Sequence, residues 1–348
     1  MKLGSTLAKS VVSLSKKANR HLLLWMGIIL SGWVFCYIIY YIVDPNRIKK
    51  NRRAINSNVG LPEPLKLSAN YIGQESVPHR SYLITRTRCT QSVFLLIVVF
   101  TAPGNMDRRT LIRRTWGTDP SVSPSWKTVF LLGQAANNRT QNKYLEAERA
   151  TYKDIIRGSQ NEHYYNLTLK TQMGLEWAAK YCDFQFLLKT DDDVFINPFN
   201  LVEYLQKPDT RQRNLYMGRC HYRSVVPRSG KNGVSLEKYD KSLYPPFCNG
   251  PAYVLSSDLV LKLVELLDVK KTFQNEDVYV GILIEKIGGP VPLHHPGFRI
   301  RSCEHFEGTF SVHGGLNYYC RKKLFDEAVK ERMKNRTGKA SQSYDTAI

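Results

Sequence analysis

The stretch Phe184-Gln-Phe-Leu-Leu-Lys-Thr-Asp-Asp-Asp-Val-Phe-Ile-Asn197 limits the folds open to this chain more than any other. An apolar run over 184–188 reads as a buried strand, and three carboxylates in a row follow it at its C-terminal end. Acids crowded at a strand end repel one another, and a divalent cation is the usual remedy. In open α/β sheets ligands bind beyond the carboxyl ends of the strands. The stretch therefore points to a metal site holding an anionic, phosphorylated ligand. The competing reading is a turn with solvated acids, but apolar residues on both sides of the triplet argue against it.

The surrounding pattern places that strand in an α/β domain. Residues 92–100 form a continuous β-branched and aromatic run, and 127–133 form a second one ended by Gly133; both read as buried parallel strands. Helices are predicted over 107–116, 142–156 and 167–181, another starts at Pro198, and further ones fall over 258–267 and 277–287, with a strand at 215–218. Alternating strands and helices imply a mostly parallel sheet covered on both faces. Residues 221–246 are polar and read as a long loop of the kind that is mobile or functional. The acids Glu276 and Asp277 open a predicted helix, where acids cap helices; one capping side chain suffices, which leaves the other for chemistry.

Residues 22–43 carry no charge and are long enough for a membrane helix, with a basic segment on either side. No cleavage site for a signal peptide is present, so an uncleaved anchor is expected over 22–43, after a cytoplasmic tail over 1–21. Residues 44–90 read as a stem, 91–335 as the globular domain and 336–348 as a structureless polar tail. The flanking charge is balanced and does not orient the anchor. Orientation comes from the cysteines and sequons. Six of the seven cysteines, Cys89, Cys182, Cys220, Cys248, Cys303 and Cys320, lie outside the apolar segment without a C-x-x-C pair, so disulfides are expected before a zinc cluster. Sequons at Asn138, Asn166 and Asn335 allow N-glycans. Together these favour a secretory lumen. The net charge of +20 is compatible with anionic substrates or a membrane surface, while no nucleic-acid-binding motif accompanies it.

The motifs add up to a family. Arg109-Thr-Leu-Ile-Arg-Arg-Thr-Trp-Gly117, Phe130-Leu-Leu-Gly133, Asn166-Leu-Thr-Leu-Lys-Thr171, Lys189-Thr-Asp-Asp-Asp-Val-Phe-Ile-Asn197, Tyr244-Pro-Pro-Phe-Cys248 and Glu276-Asp-Val-Tyr-Val-Gly281 occur in order. The chain thereby resembles the β1,3-galactosyltransferase group of glycosyltransferase family 31. The resemblance implies a GT-A fold, with a Rossmann-like nucleotide-binding half and an acceptor-binding half in one domain. It implies a type II Golgi membrane enzyme that uses Mn²⁺ and moves galactose from UDP-galactose to an acceptor-glycan hydroxyl in β1,3 linkage, with inversion. Asp193 is the implied metal ligand and His313 a second one, against the alternative of an ordinary loop histidine. Asp191 and Asp192 belong to the same motif; Asp191 would reach the donor, and Asp192 has the option of pointing away. Arg109 and Arg113 match arginines beside the nucleotide, the alternative being surface charge. Asp277 matches the proposed base, with Glu276 in support. A β1,3-N-acetylglucosaminyltransferase on the same fold and a non-catalytic, membrane-anchored sugar-binding protein are the rivals. Arg114 and residues 157–161 depart from the family pattern.

Overall fold

The computed structural model describes residues 83–85, 88–118, 126–300, 303–304, 307–314 and 316–345. The expected cytoplasmic tail, the anchor over 22–43 and most of the stem lie outside these residues. Among the described residues no helix is long and apolar enough to cross a membrane.

The apolar run after the stem forms β1 (Val93–Phe100), and its lack of alternation is explained by its place in the middle of a sheet. β2 (Trp126–Gln134), β3 (Ile155–Asn161) and β4 (Phe184–Asp191) run parallel to it, β7 (Phe247–Ser256) continues the sheet antiparallel to β4, and β6 (Tyr216–His221) lies antiparallel to β7 and so runs in the direction of β4. A two-residue edge strand, β8 (Leu293–His294), completes the seven-stranded order β3-β2-β1-β4-β7-β6-β8. A three-stranded sheet of β5 (Phe195–Ile196), β9 (Phe298–Ile300) and β10 (Ser311–His313) lies beyond the end of β4.

Successive residues of β1 point to opposite faces, and each set nucleates its own core. Leu96, Val98 and Phe100 pack in one cluster with α3 (Leu167–Tyr181), α5 (Ser257–Val264) and α6 (Glu276–Lys286). Leu95, Ile97 and Val99 pack in the other with α1 (Met106–Arg113), α2 (Arg139–Tyr152), α4 (Pro198–Leu205) and α7 (Tyr318–Asp345). The α/β layering read from the sequence is thus present, and a short 3₁₀ turn at Tyr164–Asn166 leads into α3.

Several boundaries differ from expectation. The helix predicted to end at Ile156 stops at Tyr152, where Lys153 adopts a left-handed φ of 55°, and Ile155 opens β3 instead. β3 is polar over most of its length and sits at a sheet edge, so no apolar run announces it. That edge is covered by residues assigned to the stem: Leu83 bridges Gly158, and the amides of Ile84 and Thr85 donate to the carbonyl of Arg157. The domain therefore begins before residue 91. At the other end α7 continues to Asp345, through a segment expected to lack structure. The three disulfides are Cys89–Cys182, Cys220–Cys248 and Cys303–Cys320. The first ties the start of the domain to the end of α3, and the second joins β6 to β7. Of the sequon asparagines, Asn138 is exposed at the N-terminus of α2, Asn166 donates to the carbonyl of Asn161 beside α3, and Asn335 lies in α7.

The helix α3 crosses the sheet with Gly174 against it, where a Cβ would come within 2.7 Å of Leu131 Cδ2. Gly174→Ala is expected to lose about 1–3 kcal/mol to overpacking, less about 1 kcal/mol regained from helix propensity. A urea unfolding curve with a higher midpoint would contradict this packing.

Candidate active site

The C-terminal ends of β1 and β4 lie side by side, with Phe100 opposite Asp191. The three acids share a sequence run but not an environment. Asp191 closes β4 and accepts from the Lys189 ammonium at 2.8 Å. Its pKa is raised by burial around the strand end, against the pull of Lys189. Asp192 turns inward and is buried. It accepts from Thr101 Oγ1 at 2.6 Å, Asn105 Nδ2 at 2.8 Å and Arg108 at 2.7 Å, so its lone pairs are taken up in fixing the β1–α1 turn to β4. Asp193 remains 44% exposed, with Arg108 at 3.6 Å. Arg321 of α7 is buried behind the triplet and donates to the Asp192 carbonyl at 2.8 Å. Burial and the charge of Arg108 lower its pKa.

The second acidic pair is brought to the same place by β7. Thr190 pairs with Ala252, so the antiparallel register sets Pro251 opposite Asp191 and Gly250 just past the strand end. Gly250 touches both sides: its carbonyl accepts from Lys189 at 2.6 Å, and its amide donates to Asp277 Oδ2 at 3.3 Å. A Cβ at Gly250 would lie 3.3 Å from Glu276 Oε2, tight enough that this side chain must shift by a few tenths of an ångström, and 3.8 Å from Asp277, an ordinary contact. Glu276 is buried, accepts from Thr171 at 2.9 Å and Tyr253 at 2.7 Å, and pairs with Lys189 at 3.3 Å. Asp277 is half-buried and caps its own helix through the amide of Val278 at 2.9 Å. Burial raises the Asp277 pKa above the ordinary carboxylate value, opposed by the Val278 and Gly250 amides and the Lys189 charge. Each of its oxygens keeps a further lone pair, so the group can accept a proton from a bound hydroxyl.

Arg109 and Arg113, expected beside a nucleotide, are engaged in ion pairs within the protein, and Arg109 also donates to Thr101 Oγ1 at 3.4 Å, the hydroxyl that bonds Asp192. Arg109 is 1% exposed and makes a two-pronged pair with Glu148 of α2, at 2.9 and 2.6 Å, while also donating to the carbonyls of Ala102 and Pro103. Arg113 pairs with Glu148 and, two-pronged, with Asp154, and it stacks on Tyr152. Burial alone would raise the Glu148 pKa, but the two guanidinium groups more than offset it and hold it below the usual value. Both arginines thus pin α1 to α2, and no donor group of Arg109 reaches solvent. The arginine at the mouth of the acidic site is Arg108, which the sequence reading passed over.

His313 ends β10. Continuing the antiparallel register of β10 with β5 sets it opposite Val194, next to Asp193. It also lines a cavity of about 1060 Å³ with Asn249, Pro251, Tyr319, Lys323 and the Cys303–Cys320 disulfide. Among the described residues no three His, Cys, Asp or Glu side chains cluster to hold a metal. Asp193 and His313, brought near one another by that register, are side chains that could share a cation's shell with phosphate oxygens and water.

Lys189 is the other residue without an assigned role in the sequence reading. The available signal was its position: a lysine two residues inside a buried strand needs acidic partners. Burial pulls its pKa down, but Asp191 and Glu276 more than offset this and raise it.

A family model described as Galactosyltransferase matches residues 107–295. Human lactosylceramide 1,3-N-acetyl-beta-D-glucosaminyltransferase is 36% identical over 272 residues, covering 74% of this chain and 70% of that protein. Human beta-1,3-galactosyltransferase 2 is 36% identical over 231 residues, covering 63% and 54%. Mouse UDP-GalNAc:beta-1,3-N-acetylgalactosaminyltransferase 1 is 37% identical over 218 residues, covering 59% and 63%. The chain therefore spans between about half and 70% of the length of these relatives. The solved structure of the galactosyltransferase LgtC with donor and acceptor sugar analogs is a loose likeness, at 12% identity and a TM-score of 0.34 over 68% of this chain and 95% of that one.

The arginine cluster yields a direct test. Arg109→Met leaves Glu148 buried with one cation instead of two, and is expected to cost about 3 kcal/mol in denaturant unfolding. A loss below about 1 kcal/mol would mean that the pair does not hold α1 to α2.

Proposed function

The chain belongs to the galactosyltransferase family, glycosyltransferase family 31, and from that premise we propose that it transfers galactose from UDP-galactose to a hydroxyl of an acceptor glycan in β1,3 linkage, with inversion. The observation that carries the reading is the meeting, across Gly250, of two unlike acidic sites: a strand end with an open carboxylate and a helix start with an available base. A GT-A arrangement of donor and acceptor halves fits that meeting.

In this reading the donor's diphosphate lies near Asp193 and Arg108, beyond the ends of β1 and β4, and Asp191 reaches the donor's ribose or sugar. Asp193 and His313 would hold Mn²⁺ together with the diphosphate. A bound Mn²⁺ supplies Lewis-acid stabilisation of the charge that builds on UDP as it departs. The acceptor hydroxyl sits against Asp277. Its oxygen forms a bond to the anomeric carbon while the bond from that carbon to the diphosphate oxygen breaks; the hydroxyl proton passes to Asp277 and the electron pair leaves with UDP. The ionised form of Asp277 is required, so its raised pKa places the acid limb of activity above the ordinary carboxylate range. Glu276, with every contact internal, holds the helix start and does not touch substrate. The three disulfides suit an oxidising lumen, which supports placement of the domain inside the secretory pathway on a type II anchor at 22–43.

Galactose is proposed because Glu276-Asp277 matches the galactosyl branch more closely. The N-acetylglucosamine alternative is favoured by the human glucosaminyltransferase, which aligns over the longest stretch of the three relatives. A panel of UDP-galactose, UDP-N-acetylglucosamine and UDP-N-acetylgalactosamine, each with Mn²⁺ or EDTA, decides between them. Transfer of galactose that EDTA abolishes is the expected outcome.

Asp277→Asn is expected to lower kcat by about 10²–10⁴-fold with UDP affinity unchanged. The same substitution raises the melting temperature at pH 7. A carboxyl with a raised folded pKa weakens the folded state progressively as pH climbs from its unfolded pKa to its folded one, and Asn removes that penalty. Below the unfolded pKa the two proteins should melt alike. Near-normal turnover of Asp277→Asn would overturn the assignment of the base.

A further inference from the structure

We propose that Lys189 is a positioning residue that holds the donor-side carboxylate Asp191 and the base Asp277 in one fixed arrangement, an inference that rests on the glycosyl-transfer reading above. An ammonium has three protons, and that of Lys189 is buried. Three acceptors meet it: Asp191 Oδ1 at 2.8 Å, the Gly250 carbonyl at 2.6 Å and Glu276 Oε2 at 3.3 Å. They come from β4, β7 and α6, the three elements that build the two acidic sites. The ring of Phe100 flanks the same nitrogen at 4.6 Å and that of Tyr253 at 5.8 Å.

The contacts continue outward on both sides. Asp191 is the donor end. At the acceptor end Gly250 relays the position of Lys189 to Asp277, because one peptide unit further back its amide donates to Asp277 Oδ2. Glu276 is held from behind by Thr171 and Tyr253 and carries Asp277 as its neighbour at the helix start. A shift of the ammonium therefore moves both ends of the reaction against each other. A lysine that merely neutralised buried charge would be replaceable by any cation of similar reach. One that sets distances would not be, since a guanidinium is a wide planar fork and an ammonium a compact point charge.

The test compares the full-length chain with Lys189→Arg and Gly250→Ala, measuring thermal unfolding, UDP binding and steady-state transfer per folded molecule. Lys189→Arg keeps the charge and disturbs the spacing. Gly250→Ala keeps every charge and presses a methyl group against Glu276, the neighbour of Asp277 at the helix start. Both are expected to bind UDP within about threefold of the unsubstituted chain. Misplacement of reacting groups by about 1 Å costs about 100-fold, so kcat should fall about 100-fold in Lys189→Arg and by at least about tenfold in Gly250→Ala. Wild-type kcat per folded molecule in either variant overturns the proposal, as does a loss confined to KM. If Lys189→Arg does not fold, Gly250→Ala decides alone by the same criterion. Absence of transfer by the unsubstituted chain from any of the three UDP-sugars overturns the transfer reading itself, and is seen before a variant is compared.

Discussion

The buried ammonium of Lys189 is the interaction on which the candidate site depends. Carboxylates at the end of a buried strand and at the start of a packed helix repel each other and lose hydration as the domain closes around them. Placing one cation between Asp191 and Glu276 converts that repulsion into attraction, and the Gly250 carbonyl takes up its remaining proton. Asp192 meets the same difficulty by a different route, through Thr101, Asn105 and Arg108. What is left after both arrangements is Asp193 and Asp277, two acids not committed to an ion pair with a buried lysine. In the proposed reaction those two serve the metal and the acceptor hydroxyl, and Asp191, held by Lys189, faces the donor.

The scaffold accounts for why these groups meet. β1 buries both of its faces, one in the core cluster that includes α3, α5 and α6 and the other in the cluster that includes α1, α2, α4 and α7, so the sheet that carries the ends of β1 and β4 is covered on both sides. β7 runs back alongside β4 and delivers Gly250 to the strand end, while α6 points its first turn at the same spot. The Arg109–Glu148–Arg113–Asp154 cluster lies outside this arrangement and locks α1 to α2. Its burial is the physical reason that a basic helix next to the site contributes only Arg108 to it.

Much of this was legible in the sequence, and for identifiable reasons. The strands β1, β2 and β4 have continuous apolar runs, and α3 was predicted with its observed limits because its buried positions fill most of its length. The acid triplet and the Glu276-Asp277 pair stood out because charge beside buried apolar residues is costly. β3 was not legible, since an edge strand reading Ile-Ile-Arg-Gly-Ser-Gln-Asn has too few apolar residues, and the left-handed Lys153 that separates it from α2 carries no glycine signal. The roles of Arg109 and Arg113 were hidden because their partners, Glu148 and Asp154, are more than thirty residues away in sequence. Disulfide pairing was equally hidden, because it is fixed by the approach of β6 to β7 and of the domain start to α3.

The central claim is a single displacement, with one carboxylate taking the acceptor proton on the side away from a departing UDP. The anomeric configuration of the first-formed product, read by proton NMR with an α-linked UDP-sugar donor, tests it most directly. A β-linked product is predicted, since one displacement inverts the centre. An α-linked product would require retention, and would contradict the role given to Asp277 and the geometry built around it.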